Sequence, residues 1–242
     1  MEALKIRNLT KKYKDLTAVD DLNLIIHEGE LFSLLGLNGA GKSTTIKMLS
    51  GLSKPTSGDA FILGRSIVRE PDAAKAFLAV SPQETAVAPK LSVKENLVFM
   101  CGAYGLDRKK SKEQTEKITE AFHLEEILNK KACKLSGGWQ RRLSIAMALI
   151  GEPKVLFLDE PTLGLDVIAR NELWELIRRM KGEITIILTT HYMEEAETLS
   201  DRIAIMKNGK IAALGTPDEL KAETGSEKFD EAFIKIIKEA RL

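Results

Sequence analysis

Apolar and polar positions divide the chain into alternating strands and helices. Residues 3–9 (ALKIRNL) and 22–26 (LNLII) read as strands, separated by a polar turn around Lys11 to Asp15 that carries Tyr13. The continuous apolar run Leu31 to Leu35 predicts a buried strand, and Ile46, Met48 and Leu49 supply the apolar positions of a helix soon after it. The turn-rich segment Gly51 to Gly58 leads to a short strand, Asp59 to Leu63, and Leu78-Ala79-Val80 is another, running into Ser81-Pro82-Gln83. Between Ser92 and Ile150 the pattern is helical throughout, with apolar residues three and four apart in segments 92–104, 111–122 and 138–150.

Strands resume at Val155 to Asp159, Ile184 to Leu188 and Arg202 to Met206. The last pairs through Lys207-Asn208-Gly209-Lys210 with Ile211 to Leu214, Asn-Gly being the signal of a tight hairpin. Helices fill 166–181 and 193–199. Apolar strands alternating with helices predict an α/β fold: a mostly parallel sheet covered by helices, with an N-terminal antiparallel β region and an inserted helical sub-domain. The expected division is one domain over 1–242, with a nucleotide-binding core of 1–84 and 151–242 and a helical sub-domain at 85–150. The tail, 227–240, places Phe229, Phe233, Ile236 and Ile237 on one helical face, which either docks on the body or binds a partner. No internal repeat or low-complexity segment interrupts the chain.

Composition narrows the class. A hydrophobic fraction of 44% over 242 residues suits a globular core, and 36 Lys and Arg against 35 Asp and Glu give a net charge of +1. That balance argues against a nucleic-acid partner, which calls for a basic excess or stripe. No apolar run reaches the roughly 18–20 residues of a spanning helix, and the N-terminus lacks a signal-peptide centre, so a cytosolic location is expected. Cys101 and Cys133 form no C-x-x-C pair, and His27, His123 and His191 have no metal-ligand spacing.

The chemistry begins where the strand 31–35 ends. Gly36-Leu37-Asn38-Gly39-Ala40-Gly41-Lys42-Ser43 fits G-x-x-x-x-G-K-[ST] in its required setting of strand, loop and helix. Glycines let backbone N–H groups turn toward phosphate oxygens, and the helix that follows adds its positive end. Lys42 is then placed to neutralise β- and γ-phosphates, and the Ser43 hydroxyl to ligate Mg²⁺. The strand 155–159 delivers Asp159 and Glu160 to the carboxyl edge of the sheet, where such folds bind ligands. There Asp159 could hold Mg²⁺ and Glu160 accept a proton from water attacking the γ-phosphate. His191 and Gln83 also follow strands: the histidine could bond the γ-phosphate, the amide both Mg²⁺ and the water. Beside a phosphate loop, Tyr13 gains a second reading as a surface for adenine stacking; alone it is a surface aromatic. Lys134 to Arg142 opens a helix with Ser136, Gly137 and Gly138, an anion-cradling arrangement outside the first site, suited to the nucleotide of another copy. An ordinary serine cap has the same sequence.

At these residues the chain resembles the ATP-binding subunit of an ABC transporter. GLNGAGKST at 36–44, which includes Thr44, LSGG at 135–138, VLFLDEP at 155–161 and His191 stand in the family's order and spacing. The resemblance implies an ATPase using ATP and Mg²⁺, with Tyr13 on adenine, Gln83 sensing Mg²⁺ and coupling to the membrane partner, and Glu160 the catalytic base. Ser136, Gly137 and Gly138 would grip the γ-phosphate held by a second ABC ATPase subunit, and Asp166 would communicate across the dimer. An integral membrane permease subunit would hold the protein at the cytoplasmic face of the membrane. PTLGLD and the stretch from TTHYMEEAE to TPDELK look like drug or polysaccharide exporters; an importer ATPase is the alternative within the family. The sequence departs from the common pattern at Trp139, where Gln is usual, and at Leu163-Gly164, where Ser-Ala is common. Soluble ABC ATPases of DNA repair or translation carry long coiled coils or paired cassettes, and a module without turnover would lack Glu160 or His191.

Overall fold

A computed structural model describes residues 1–240; the expected divisions that run to 242 end on two positions outside the described residues. The chain opens with β1 (Glu2–Tyr13) and β2 (Leu16–His27), a long antiparallel hairpin turning at Lys14 and Asp15. Tyr13 therefore ends a strand and does not sit in a turn. Lys11, Lys12 and Tyr13 pair with Val19, Thr17 and Leu16, so the ladder continues past the buried half of the hairpin, where no apolar alternation marks it.

Next come β3 (Leu31–Gly36), α1 (Lys42–Leu49), β4 (Ser57–Ile62), β5 (Arg65–Ser66), α2 (Pro71–Lys75) and β6 (Leu78–Ser81). Three helices follow with no strand between them: α3 (Val93–Ala103), α4 (Arg108–Ala121) and α5 (Gly137–Ala148). The remainder is β7 (Val155–Asp159), α6 (Val167–Met180), β8 (Thr185–Thr190), α7 (Met193–Leu199), β9 (Arg202–Lys207), β10 (Lys210–Gly215), α8 (Pro217–Thr224) and α9 (Phe229–Glu239). Helix α4 starts three residues before the apolar pattern because the Asp107 carboxylate accepts from the Lys110 N–H. Helix α8, absent from the periodicity, carries a capping box: Thr216 and Glu219 satisfy each other's backbone N–H groups.

The strands form two sheets. One is antiparallel in the order β2-β1-β4-β5, and the other runs β10-β9-β3-β8-β7-β6. In the second, β9, β3, β8, β7 and β6 are parallel and only the β10 edge is antiparallel, joined at Asn208-Gly209, both with positive φ as a tight hairpin requires. This is a mostly parallel α/β sheet with an antiparallel β region.

Successive side chains of a strand point to opposite faces, and the buried strands are sorted that way. Leu156, Leu158, Ile186 and Leu188 join the core with Leu97, Leu143, Leu173 and Trp174 of the helices. Their neighbours Phe157 and Ile187 face the other way, against Phe32, Leu34, Ile46 and the inner residues of β1 and β2. Each fully buried leucine, isoleucine or phenylalanine contributes about 1.5–3 kcal/mol. The tail helix α9 docks on the body: Phe229, Phe233 and Ile236 pack with Leu35, Ile203, Ile205 and Leu220. The parallel arrangement brings the carboxyl ends of β3, β8, β7 and β6 to one edge. Gly36, Thr190, Asp159 and Ser81 therefore end side by side.

Candidate active site

At that edge lies a cleft of about 620 Å³. Its walls are Tyr13, Leu16, Thr17 and Ala18 from the β hairpin and Asn38 to Thr44 from the loop and the start of α1. Gln83, Glu160, Leu163, His191 and Asn208 complete it. Tyr13, the glycine loop, Gln83, Glu160 and His191, far apart in sequence, thus share one cavity.

Two loop positions leave no room for a Cβ. A Cβ at Gly36 would stand 2.5 Å from the Met206 carbonyl oxygen, and one at Gly41 2.5 Å from that of Ala18. Gly41, at φ +106°, also has a backbone conformation unsuited to an L side chain. As the residue before α1 it offers no side-chain cap, so the first N–H groups of the helix carry no such partner.

The charged groups interlock. The buried Lys42 ammonium donates to the Gly36 carbonyl at 2.7 Å and stands 3.3 Å from Glu160 Oε1. The other oxygen of Glu160, Oε2, is 2.7 Å from His191 Nδ1. Glu160 has φ +49°, a strained backbone for a residue with a side chain, of the kind that costs about 1–3 kcal/mol and persists where surrounding contacts enforce it. Its N–H donates to the carbonyl and hydroxyl oxygens of Thr189, both at 3.1 Å. Asp159 accepts from Ser43 Oγ at 3.1 Å and from Thr189 Oγ1 at 2.5 Å. A hydroxyl beside a carboxylate at the mouth of a phosphate loop is a hard oxygen donor set, suited to a cation that keeps water and phosphate as its other ligands.

Ser136, Gly137 and Gly138 lie elsewhere; none lines the cleft. Ser136 caps α5, and a Cβ at Gly138 would stand 2.8 Å from Ala169 Cβ, so this turn packs on the start of α6. Asp166 caps α6, its Oδ1 accepting from the Ala169 N–H at 2.9 Å. Trp139 stacks with the Arg142 guanidinium, 4.4 Å from the ring centroid, and Arg142 pairs with Glu172 at 2.8 Å.

Two buried charges beneath the cleft have no counterpart in the sequence reading. Glu195 Oε1 accepts from Thr162 Oγ1 at 2.8 Å and Trp174 Nε1 at 3.0 Å, while its Oε2 has no hydrogen-bond partner. Burial pushes this carboxyl above the usual range, the Thr190, Thr162 and Trp174 side chains oppose the shift, and the charge of Glu160 adds to it. Arg141 is likewise buried, and its guanidinium is held below the usual range by desolvation, with the charges of Asp159 and Glu195 acting the other way.

A strand feeding a glycine loop, a helix opening with Lys-Ser and two acids ending a nearby parallel strand define a phosphate-loop nucleoside triphosphatase. The chain belongs to the ABC transporter family, whose family model matches residues 19–163. Its fold and motifs are those of an ABC-type ATPase domain. It is 42% identical over 241 residues to the probable multidrug ABC transporter ATP-binding protein YbhF of Escherichia coli (strain K12), covering 97% of this chain and 41% of YbhF. It thus spans about two fifths of that relative's length. It is 39% identical over 229 residues to the daunorubicin resistance ATP-binding protein DrrA3 of Streptomyces coeruleorubidus, covering 94% of this chain and 72% of that one. Among solved structures, the dimeric post-hydrolysis state of the ATP-binding cassette MJ0796 bound to ADP and Pi has a TM-score of 0.78 at 28% identity, covering 88% of this chain and 98% of that one. Among the described residues no helix is long and apolar enough to cross a membrane.

Proposed function

We propose that this chain hydrolyses ATP as one of a pair of cassettes and powers transport, of the export type, through a separate membrane permease at the cytoplasmic face. The observation that carries this reading is the single cleft lined by Tyr13, the loop 38–44, Gln83, Glu160 and His191. Tyr13 stacks on adenine, the loop N–H groups hold the phosphates, and Lys42 sits against the β- and γ-oxygens. Ser43, Asp159 and Gln83 would hold Mg²⁺, which neutralises charge on the β- and γ-phosphate oxygens when bound.

The ion pair gives Glu160 a reason to change partners. Lys42 shares its charge with Glu160 Oε1. A triphosphate competes for that ammonium and leaves Oε1 able to accept a proton, while His191 Nδ1 keeps Oε2 in place. Water then attacks the γ-phosphorus as the bond from that phosphorus to the β–γ bridging oxygen breaks. The water proton passes to Glu160, and ADP and phosphate remain.

The turn at Ser136, Gly137 and Gly138 is the other half of the proposal. It lies off the cleft of its own chain and exposes a helix start suited to an anion, which fits the γ-phosphate bound by a second cassette. The dimeric state of MJ0796 supports a paired arrangement, and the names of YbhF and DrrA3 support export of drug-like cargo. ATP would then act as an adhesive between copies, and hydrolysis would remove the γ-phosphate contacts that hold the pair together.

The test is the ATPase rate of Glu160→Gln, which keeps the shape of the side chain but cannot accept the proton. Removing a general base lowers turnover by about 10²–10⁴-fold. A variant as fast as wild type overturns the role given to Glu160.

A further inference from the structure

We propose that Arg141 is a positioning residue that ties the Ser136–Gly138 turn to Gln83, so that contact made at one nucleotide site is passed to the other. The inference rests on the proposed pairing of cassettes around ATP.

Arg141 lies in the second turn of α5, the helix that Ser136 caps, and is only 4% exposed. It forms no ion pair among the described residues. Its guanidinium instead donates to two consecutive backbone carbonyls, Pro82 at 2.5 Å and Gln83. A buried cation without a carboxylate partner is unfavourable unless its hydrogen bonds serve a purpose. Here they fasten a segment that lies outside the regular elements. Residues 82–87 belong to no helix or strand, and among the described residues none of their N–H or carbonyl groups takes part in a backbone–backbone hydrogen bond, although Val87 packs on the core.

The neighbouring arginine does something different. Arg142 stacks on Trp139 and pairs with Glu172, within the helices. Arg141 instead reaches across to the segment that carries Gln83 into the nucleotide cleft. One helical turn further on, Ser144 Oγ lies 3.1 Å from Ser81 Oγ, so α5 meets the end of β6 at two points on one face. A rigid helix therefore joins the turn at 136–138 to the Gln83 backbone. A shift of α5 caused by an anion at its start is transmitted to Gln83 through the planar fork of Arg141, whose two-carbonyl grip a lysine ammonium reproduces only in part.

The experiment compares wild type, Arg141→Lys and Arg141→Met. It measures ATPase rate against ATP and Mg²⁺ concentration, binding of a fluorescent ATP analogue, and thermal melting. Arg141→Met is expected to bind the analogue within about twofold of wild type, because it leaves the loop 36–44 intact. Its kcat should fall at least tenfold, its Hill coefficient for ATP should drop toward 1, and more Mg²⁺ should be needed for half-maximal rate. Arg141→Lys should recover part of the rate and of the cooperativity; if Arg141→Met does not fold, Arg141→Lys decides, with an expected three- to tenfold loss of kcat.

Wild-type kcat and Hill coefficient in the variants would overturn the inference, as would losses of binding and rate that merely follow a fall in melting temperature. Dimer formation by Glu160→Gln in ATP is measured alongside. If that control stays monomeric, the pairing itself fails; if it dimerises while the Arg141 variants behave as wild type, only the role of Arg141 fails.

Discussion

Glu195 offers a quantitative check on the polar layer beneath the cleft, because only one of its two roles, titration and hydrogen-bond acceptance, depends on pH. Its carboxyl is fully buried, and its Oε1 is the acceptor for Thr162 and Trp174. Thr162 lies two residues after Glu160, so this carboxyl braces the segment that carries the proposed base. Burial raises its pKa in the folded chain, so the native state holds a proton that the unfolded chain releases. That stabilising protonation is fully present below the ordinary carboxylate range and is lost as pH rises toward the raised folded value. Over that interval wild type loses about 1.4 kcal/mol per pH unit from this one group. Glu195→Gln keeps an acceptor for both donors and cannot ionise, so the decline should vanish. Glu195→Leu also cannot ionise but leaves two buried donors unpaired, at about 1–3 kcal/mol each. Urea unfolding followed by circular dichroism at half-unit steps from pH 5 to 8 gives all three curves. The stability of wild type relative to Glu195→Gln should fall with pH until the raised folded value is passed, and Glu195→Leu should lie below Glu195→Gln by a roughly constant amount. Identical pH slopes for wild type and Glu195→Gln, or a leucine variant as stable as the glutamine variant, would refute the reasoning.

Lys42→Met removes the ammonium proposed to meet the β- and γ-phosphates; ATP binding by calorimetry should weaken about 10- to 100-fold, from the loss of one charge-assisted contact of about 1.5–3 kcal/mol. Tyr13→Ala should raise the ATP KM about tenfold with kcat little changed, and Tyr13→Phe should restore it, since stacking on an aromatic is worth about 1–3 kcal/mol per base; an unchanged KM rejects the adenine role. Gly36→Ala forces a Cβ to 2.5 Å from the Met206 carbonyl, a backbone group that cannot swing aside. A strain of about 1–3 kcal/mol should lower the melting midpoint by about 2–10 °C.

The parts of the molecule that announce themselves along the chain are those whose physics is local. Buried parallel strands such as β7 and β8 are built around continuous apolar runs, 155–158 and 186–188, and the loop 36–43 is defined by residue types at fixed spacing. Asp159, Glu160, Gln83 and His191 each follow a strand, so the parallel sheet alone predicts that they reach the same edge. What pairs with what at that edge is not local. The bridge Lys42–Glu160–His191 is set by which strands are neighbours, a three-dimensional fact. Glu195 and Arg141 resemble surface residues in the sequence because charged side chains usually are; only the fold reveals that they are buried against Trp174 and the 82–83 carbonyls. Lys11 to Tyr13 mislead for the opposite reason. Their run of polar residues looks like a turn, but an exposed strand end needs only backbone pairing. Helix α8 was missed because its signal, Thr216-Pro217-Asp218-Glu219, is one of caps and not of periodicity.

The account turns on the phosphate loop being half of a site whose occupancy controls assembly. The most direct measurement is the mass in solution of Glu160→Gln, by size-exclusion chromatography with light scattering, in ATP with Mg²⁺, in ADP with Mg²⁺ and without nucleotide. A dimer is expected in ATP and a monomer in the other two, with Gly137→Asp, where a Cβ meets only Leu165 Cδ2 at 3.9 Å, abolishing the dimer by placing a carboxylate where the partner's γ-phosphate should sit. A Glu160→Gln protein that binds ATP yet remains monomeric contradicts it.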